Sequence, residues 1–434
     1  MDTWSLISAD EARRVLLRTP PVRGSERVPL GAAAGRVLAE PLVATHDLPP
    51  ERRSAMDGYA IRAADLDGAF TDSSTGPGPG AVLRVIGALA AGGGFVGRLG
   101  ASEAISIATG AAIPDGADAV VMVESTEPAS AGELAHAPEA EGRRYVAPGG
   151  FVRVTRPVAR AANLVERGED VRAGAVLLQS GRRLGARDLS ALAAFGVVAV
   201  PVFRRPRVAV LATGSELCPV GETPGPGQVR DSNQYVLAAE IEAVGGTSVQ
   251  GGIIGDDYDA LLAAVARLSA EHDAVILSGG SSVGPRDLTG RVLGALGAPG
   301  VLFHGVDIRP GKPTVFARLG DKPVVGMPGY PTSSMVVFEA LIRPMLARLC
   351  GEAVLDEWSA WGRARLAQPY TKPASREDHL RVRLEDRDGD LWAEVVPGGS
   401  AAITNVLRAD GLARVPAGVE RLAAGASVQV RRFS

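Results

Sequence analysis

Residues 273–289 read DAVILSGGSSVGPRDLT, and this stretch constrains the fold more than any other part of the chain. Ala274 to Leu277 form a short apolar run of β-favouring side chains, the pattern of a buried strand. Gly279, Gly280 and Gly284 follow, and without a Cβ their backbone N–H groups can approach a ligand closely. Ser278, Ser281 and Ser282 add hydroxyl donors. Asp287 then stands where a helix opens, at a terminus whose free N–H groups favour anions. Strand, turn and helix start together make a ready-made oxyanion site, and a carboxylate beside such a site calls for a cation. A tight strand-to-helix turn without a ligand would use the same residues.

The flanking text repeats the theme. From Pro206 onward, residues 208–211 and 249–254 read as strands, with helices expected from about Ser232 and Tyr258. Strands alternating with helices predict a doubly wound α/β domain with a mostly parallel sheet and helices on both faces. Ligands bind such sheets outside the carboxyl ends of the strands. Three motifs fall there: ATGSEL at 212–217, GDD at 255–257 and SGG at 278–280. Residues 328–334, PGYPTSS, then lead into a long apolar helix reaching about Leu349, with a hydroxyl-rich start that favours anions. Glu216, Asp256 and Asp287 each follow a predicted strand at one sheet edge, as a hard divalent ion bridging phosphate oxygens requires. Mg²⁺ is the natural ion, since it takes one or two carboxylates plus phosphates and water. Asp231-Ser232-Asn233 is expected to cap the next helix, and His304 has no partner at ligand spacing.

Elsewhere Ser8 precedes an amphipathic helix, 46–145 is strand-like and glycine-punctuated, 127–144 reads as an exposed loop, and a helix is expected near 187–195. After Gly351 short strands return. At 434 residues the chain is too long for one ordinary core. With a net charge of −3, aromatics at 4% and no basic run, nucleic acid is an unsuitable partner. No stretch approaches the roughly 18 apolar residues of a membrane span. The N-terminus lacks a basic segment followed by an apolar core, so a cytoplasmic location is expected. Cys218 and Cys350 suggest neither a disulfide framework nor a local metal pair. Of 46 basic residues only Lys312, Lys322 and Lys372 are lysine, and Lys312 sits in Arg309-Pro310-Gly311-Lys312-Pro313, where a compact ammonium is selected over a guanidinium.

Taken in order, SAMDGYA, TGAAIPDGADAVVMVE, ATGSEL, RDSNQYVL, SGGSSVGPRDLT, RPGKPT and GMPGYPTSS resemble the molybdopterin molybdenumtransferase family, and the match spans most of the chain. The resemblance implies insertion of molybdate into adenylylated molybdopterin with release of AMP, a divalent ion, and a homodimer of four-domain subunits. It implies an elongated discontinuous domain at 1–45 and 146–182, a β-rich domain at 46–145, the α/β molybdopterin-binding domain at 183–350 and a β-barrel-like domain at 351–434. Asp57 and Thr109 match residues implicated in activity. Glu216, Asp256 and Asp287 match acids of the cofactor and metal site, with Glu216 and Asp287 as ion ligands. Lys312 matches a cation for phosphate or molybdate. Gly214, Arg309, Pro328 and Pro331 fall in cofactor-facing motifs, as do Arg376 and Ser400 in the last domain. Tyr330 replaces a common Asn, Gly305 a basic residue in some members, and Arg309 a Lys, departures that bear on molybdate against tungstate. Three alternatives stay open: a tungstate-preferring insertase, the preceding adenylyltransfer step, and a non-catalytic scaffold. An adenylyltransferase or an apoenzyme are the expected protein partners.

Overall fold

Strand Ala274–Ser278 is buried at every position and lies at the middle of a six-stranded sheet, between Arg207–Thr213 and Lys322–Met327, both parallel to it. Thr247–Ile254 extends the parallel set on one side, while Val315–Leu319 and Pro299–His304 complete the other side antiparallel. A sheet covered on both faces needs continuous apolar strands rather than alternation. Val208 to Ala212 and Ala274 to Leu277 meet that need, each at most 1% exposed. One face packs on Leu237, Ile241, Val336, Val337 and Leu341, the other on Leu261, Val265, Leu268, Val292 and Leu293. Helix Asn233–Val244 and the helical stretch from Pro331 therefore cover one face, and Tyr258–Glu271 with Leu288–Ala295 the other. Each fully buried Leu, Ile or Val contributes about 1.5–3 kcal/mol to this arrangement.

The computed structural model describes residues 6–72, 76–77, 80–129, 145–280, 287–354, 358 and 361–433. Ser281, Ser282 and Gly284, and all but the start of the loop expected at 127–144, lie outside the described residues. By contact the chain divides into two units, Met1–Pro41 with Gln179–Ser434, and Leu42–Leu178. No described helix is long and apolar enough to cross a membrane.

The long helix expected up to Leu349 is present as Pro331–Val337, a π-helical turn Phe338–Ile342, and Arg343–Leu349. The cause is Pro344, which has no N–H to give the carbonyl four residues back. That carbonyl, Ala340 O, instead accepts from Arg13 Nη1 at 3.0 Å. Arg13 comes from the first helix, Ala9–Leu16, whose Ser8 side chain accepts from Glu11 N at 3.1 Å as the sequence predicts.

From Gly362 onward the chain closes a five-stranded barrel: Glu377–Arg387, Asp390–Val395, Gly362–Leu366, Ser427–Arg432 and Gly411–Val415, the last returning to the first. Closure removes the edges at which sheets aggregate. The α/β part adds Ile308–Arg309 to this barrel, setting Arg309 opposite Asp378.

In the Leu42–Leu178 unit, a six-stranded sheet runs Thr126–Pro128, Phe151–Val154, Ala81–Leu89, Glu103–Ile107, Gly58–Ile61, Ala119–Met122. The MDGYA text supplies its strand Gly58–Ile61, buried throughout, so Asp57 sits at the start of a fixed element. Phe151–Val154, beyond residue 145, is a full member of this sheet through its pairing with Ala81–Leu89.

Candidate active site

The carboxyl end of Ala274–Ser278 opens onto a cavity of about 720 Å³. Its lining comes from three segments, with Ser278, Gly279 and Gly280 from the first, Glu216, Arg230 and Asn233 from the second, and Pro328, Tyr330 and Pro331 from the third. Ala401 and Ile403, from the loop ahead of the short helix Thr404–Leu407, complete it. The switch-point expectation for the strand ends is thus met in geometry.

The SGG turn is set by backbone conformation. Gly279 has φ +103°, and a Cβ there would lie 2.2 Å from Thr213 O, so a side chain is excluded on two grounds. Its N–H donates to Met327 O at 3.1 Å, and Thr289 Oγ1 donates to its carbonyl at 3.2 Å. Next along from Thr213, the space left by Gly214 is filled by the Glu216 carboxylate, which a Cβ at Gly214 would meet at 2.5 Å. Thr213 Oγ1 is buried at the base of the turn with no partner among the described residues.

Asn233 joins the other two lining segments. Its Nδ2 donates to Ser278 Oγ at 2.8 Å and to Gly329 O at 2.8 Å. The sequence suggests Asp231-Ser232-Asn233 as a cap, but Ser232 makes no side-chain cap bond, and Asp231 alone serves the helix start, accepting from Gln234 N at 3.3 Å. Asn233 instead reaches outward to loops far away in sequence. Asp256 is exposed and exchanges bonds with Ser215, accepting from Ser215 N at 3.3 Å while its own N–H donates to Ser215 Oγ at 3.0 Å.

Asp287 stands differently from the ion ligand expected. It caps Leu288–Ala295, with Oδ1 accepting from Gly290 N at 3.1 Å, and its Oδ2 lies 2.8 Å from His304 Nε2. Both oxygens are engaged by the protein, and both side chains are nearly buried. His304 has no partner at ligand spacing in the sequence, and this contact supplies one from afar: the antiparallel edge strand Pro299–His304 delivers its ring to the start of the helix. Among the described residues no three His, Cys, Asp or Glu side chains converge as a metal cluster. Glu216, exposed in the cavity wall, fits a divalent ion whose other ligands are phosphate oxygens and water.

A second cavity of about 240 Å³ lies on the barrel side of the same loop and is lined by Arg309, Tyr370, Asp378, Arg381 and Ser400. Ser400 O accepts from Thr332 N at 3.2 Å, which docks the loop on the PGYP helix. Arg376 does not line either cavity; its Nε donates to Asp378 Oδ1 at 3.0 Å. Burial and the hydrogen bond to Asp378 push the Tyr370 phenol up to about 12, so it remains a donor at neutral pH.

Three family descriptions match in chain order: "MoeA N-terminal region (domain I and II)" over residues 7–196, "Probable molybdopterin binding domain" over 209–348, and "MoeA C-terminal region (domain IV)" over 363–433. The molybdopterin molybdenumtransferase of Bacillus subtilis (strain 168) is 32% identical, across 98% of this chain and 93% of its own. The chain belongs to the molybdopterin molybdenumtransferase family. Molybdopterin molybdenumtransferase 2 of Mycobacterium tuberculosis (strain ATCC 25618 / H37Rv) is 33% identical over 98% of both chains. The molybdopterin biosynthesis moeA protein of Pyrococcus horikoshii OT3 superposes with a TM-score of 0.79 at 30% identity, covering 99% of this chain and 100% of that one.

In this family member the three lysines separate by environment. Lys322 Nζ donates to Ser269 O at 2.7 Å and Ala270 O at 3.1 Å, satisfying carbonyls at a helix end. Lys372 is buried and donates to Arg376 O at 2.5 Å. Lys312 is exposed beside Pro313 of the cavity wall and pairs with no carboxylate among the described residues. In the other unit, Asp57 Oδ1 accepts from Thr109 N at 2.8 Å and Thr109 Oγ1 at 3.0 Å, so the two residues nominated there are one constellation. Sequence reasoning missed Asn233 and Arg230 as cavity residues; their place in RDSNQYVL, next to a strand-end motif, was the available signal.

Proposed function

We propose that this chain inserts molybdenum from molybdate into adenylylated molybdopterin, with AMP leaving. The observation that carries the proposal is the cavity itself: the Ser278 hydroxyl and the glycine turn after it share one cavity with the apolar side chains of Val229, Pro328, Tyr330 and Ile403. An adenylylated pterin has the same division, a charged phosphoanhydride and flat rings. The turn at Gly279 and Gly280 receives the phosphates, and catalysis is mostly positioning and charge stabilisation. Lys312 and Arg309 attract the incoming oxyanion, with Ser400 lining the barrel side and Arg376 holding Asp378 there. A Mg²⁺ ion would be held by Glu216 with substrate phosphates and would offset charge on the phosphoanhydride. Asp287 acts by fixing the helix start beneath the turn.

The proposal also sets the reaction in the cytoplasm, keeps four domains with the β-rich one extended to include Phe151–Val154, and takes the active form as a homodimer in which Asp57 and Thr109 of one copy serve the cavity of the other. An adenylyltransferase handing over substrate and an apoenzyme receiving product are its protein partners. The test is AMP release from purified adenylylated molybdopterin with Mg²⁺, comparing molybdate, tungstate and no oxyanion. Molybdate-dependent release is expected. Release favouring tungstate would revise the oxyanion, and tight binding without release under any oxyanion would leave a scaffold.

A further inference from the structure

Among the described residues Tyr330 is the only aromatic side chain lining the main cavity, in a chain where aromatics are 4% of residues. Its backbone is held on both sides. Gly329 O accepts from Asn233 Nδ2 at 2.8 Å, and Tyr330 O accepts from Ser334 N at 2.9 Å. Pro331 follows and disfavours the helical conformation at Tyr330, which is extended at φ −69° and ψ 129°. A backbone so constrained fixes the Cα–Cβ direction from which the ring projects. Yet Tyr330 is 62% exposed, and two aliphatic side chains of the same cavity, Val229 and Ile403, are 54% and 45% exposed. The protein therefore keeps an uncovered ring and two uncovered aliphatic side chains at the cavity that the SGG turn also lines. Large apolar side chains grouped around a cavity mark a binding surface rather than a folding requirement.

We infer that Tyr330 is a specificity-determining residue that stacks on a planar heteroaromatic ring of the substrate, with Ile403 and Val229 closing the sides of the slot. Stacking needs only a π-face on each partner, and Tyr supplies a large one at small entropic cost. The inference rests on the proposed insertase activity for the identity of the substrate, but the slot can be measured without turnover.

The experiment compares wild type with Tyr330→Phe, Tyr330→Leu and Tyr330→Ala in oxyanion-dependent AMP release, with equilibrium binding of adenylylated molybdopterin measured in parallel. Tyr330→Ala is expected to raise KM and Kd roughly 5- to 150-fold, the range of ring-stacking losses, with kcat changed little. Phe should restore wild-type values and Leu should not, because Leu keeps the apolar volume without the π-face. AMP inhibition identifies the ring: inhibition weakened by Tyr330→Ala assigns the slot to adenine, inhibition unchanged assigns it to the pterin. Equal Kd values for wild type, Leu and Ala would overturn the inference. A wild-type protein that binds the adenylylated pterin but releases no AMP would instead sink the insertase proposal, leaving the Kd series to decide on Tyr330.

Discussion

Removing the Asn233 side chain tests whether the cavity depends on two loops being held in mutual register. Asn233→Ala deletes two neutral hydrogen bonds, each 2.8 Å long, to Ser278 Oγ and Gly329 O. Such bonds are worth about 0.5–1.5 kcal/mol each, so the pair amounts to about 1–3 kcal/mol. If that free energy is expressed in substrate binding, kcat/KM for AMP release falls roughly 5- to 150-fold. If it is expressed only in folding, the melting temperature drops by about 2–4 °C per kcal/mol with kinetics unchanged. Because Ser278 and Gly329 both line the cavity and come from different loops, the kinetic outcome is expected, mainly through KM. Asn233→Asp sharpens the test. It keeps the shape but replaces the N–H donors with carboxylate oxygen, which faces the Gly329 carbonyl and adds negative charge where phosphates bind. It should therefore fall below Ala at low ionic strength and recover towards Ala as salt screens the charge. Wild-type kcat/KM in both variants would refute the reasoning.

The remaining predictions address other parts of the molecule. Thr109→Val removes the Oγ1 donor to Asp57 while leaving the backbone donor, so activity should fall about 5-fold for the loss of about 1 kcal/mol, and Thr109→Ser should retain it; equal loss in Ser and Val would assign the effect to packing. Burial alone would raise the Asp273 pKa, but Arg204 donates to both of its oxygens, at 2.7 and 2.6 Å, and Arg207 N adds a third bond, so the carboxyl lies below its usual value. The sign follows: this stabilisation is present above the ordinary carboxylate pKa of about 4 and is lost as pH falls through the lowered value. Arg204→Gln should then move the acid-unfolding midpoint, followed by circular dichroism, to higher pH; an unchanged midpoint would contradict the assignment. Mixing Asp57→Ala with Glu216→Gln chains and letting subunits exchange should restore activity to about one quarter of wild type, since half the dimers are mixed and each mixed dimer regains one intact site. No restoration would exclude a site shared between copies.

What could be read from the sequence, and what could not, divides along one physical line. Local rules sufficed where the partners are near in the chain. The Ser8 cap serves Glu11 three residues on, and the strand at Ala274 to Leu277 declares itself by composition alone. Helices on both faces followed from the alternation of strands and helices, because a sheet buried twice cannot be amphipathic. The misread residues are those whose side chains act at a distance. Asn233 looked like a cap because caps are chosen by the next few residues, yet its two acceptors are 45 and 96 positions away. His304 showed no partner at ligand spacing because Asp287 is brought to it only when an antiparallel edge strand is laid beside a parallel sheet. Arg13 offers the same lesson in the core, since its guanidinium serves a carbonyl 327 positions away that Pro344 left without a donor. Asp287 joins these cases: residue type and position nominated an ion ligand, whereas the three-dimensional partners make it a cap and a mate for His304. The chemistry a side chain is capable of is therefore local information, and the chemistry it is committed to is decided by topology. That distinction explains why Glu216, the one acid of the three shown facing the cavity without a capping duty, is the carboxylate on which an ion-dependent step should depend most.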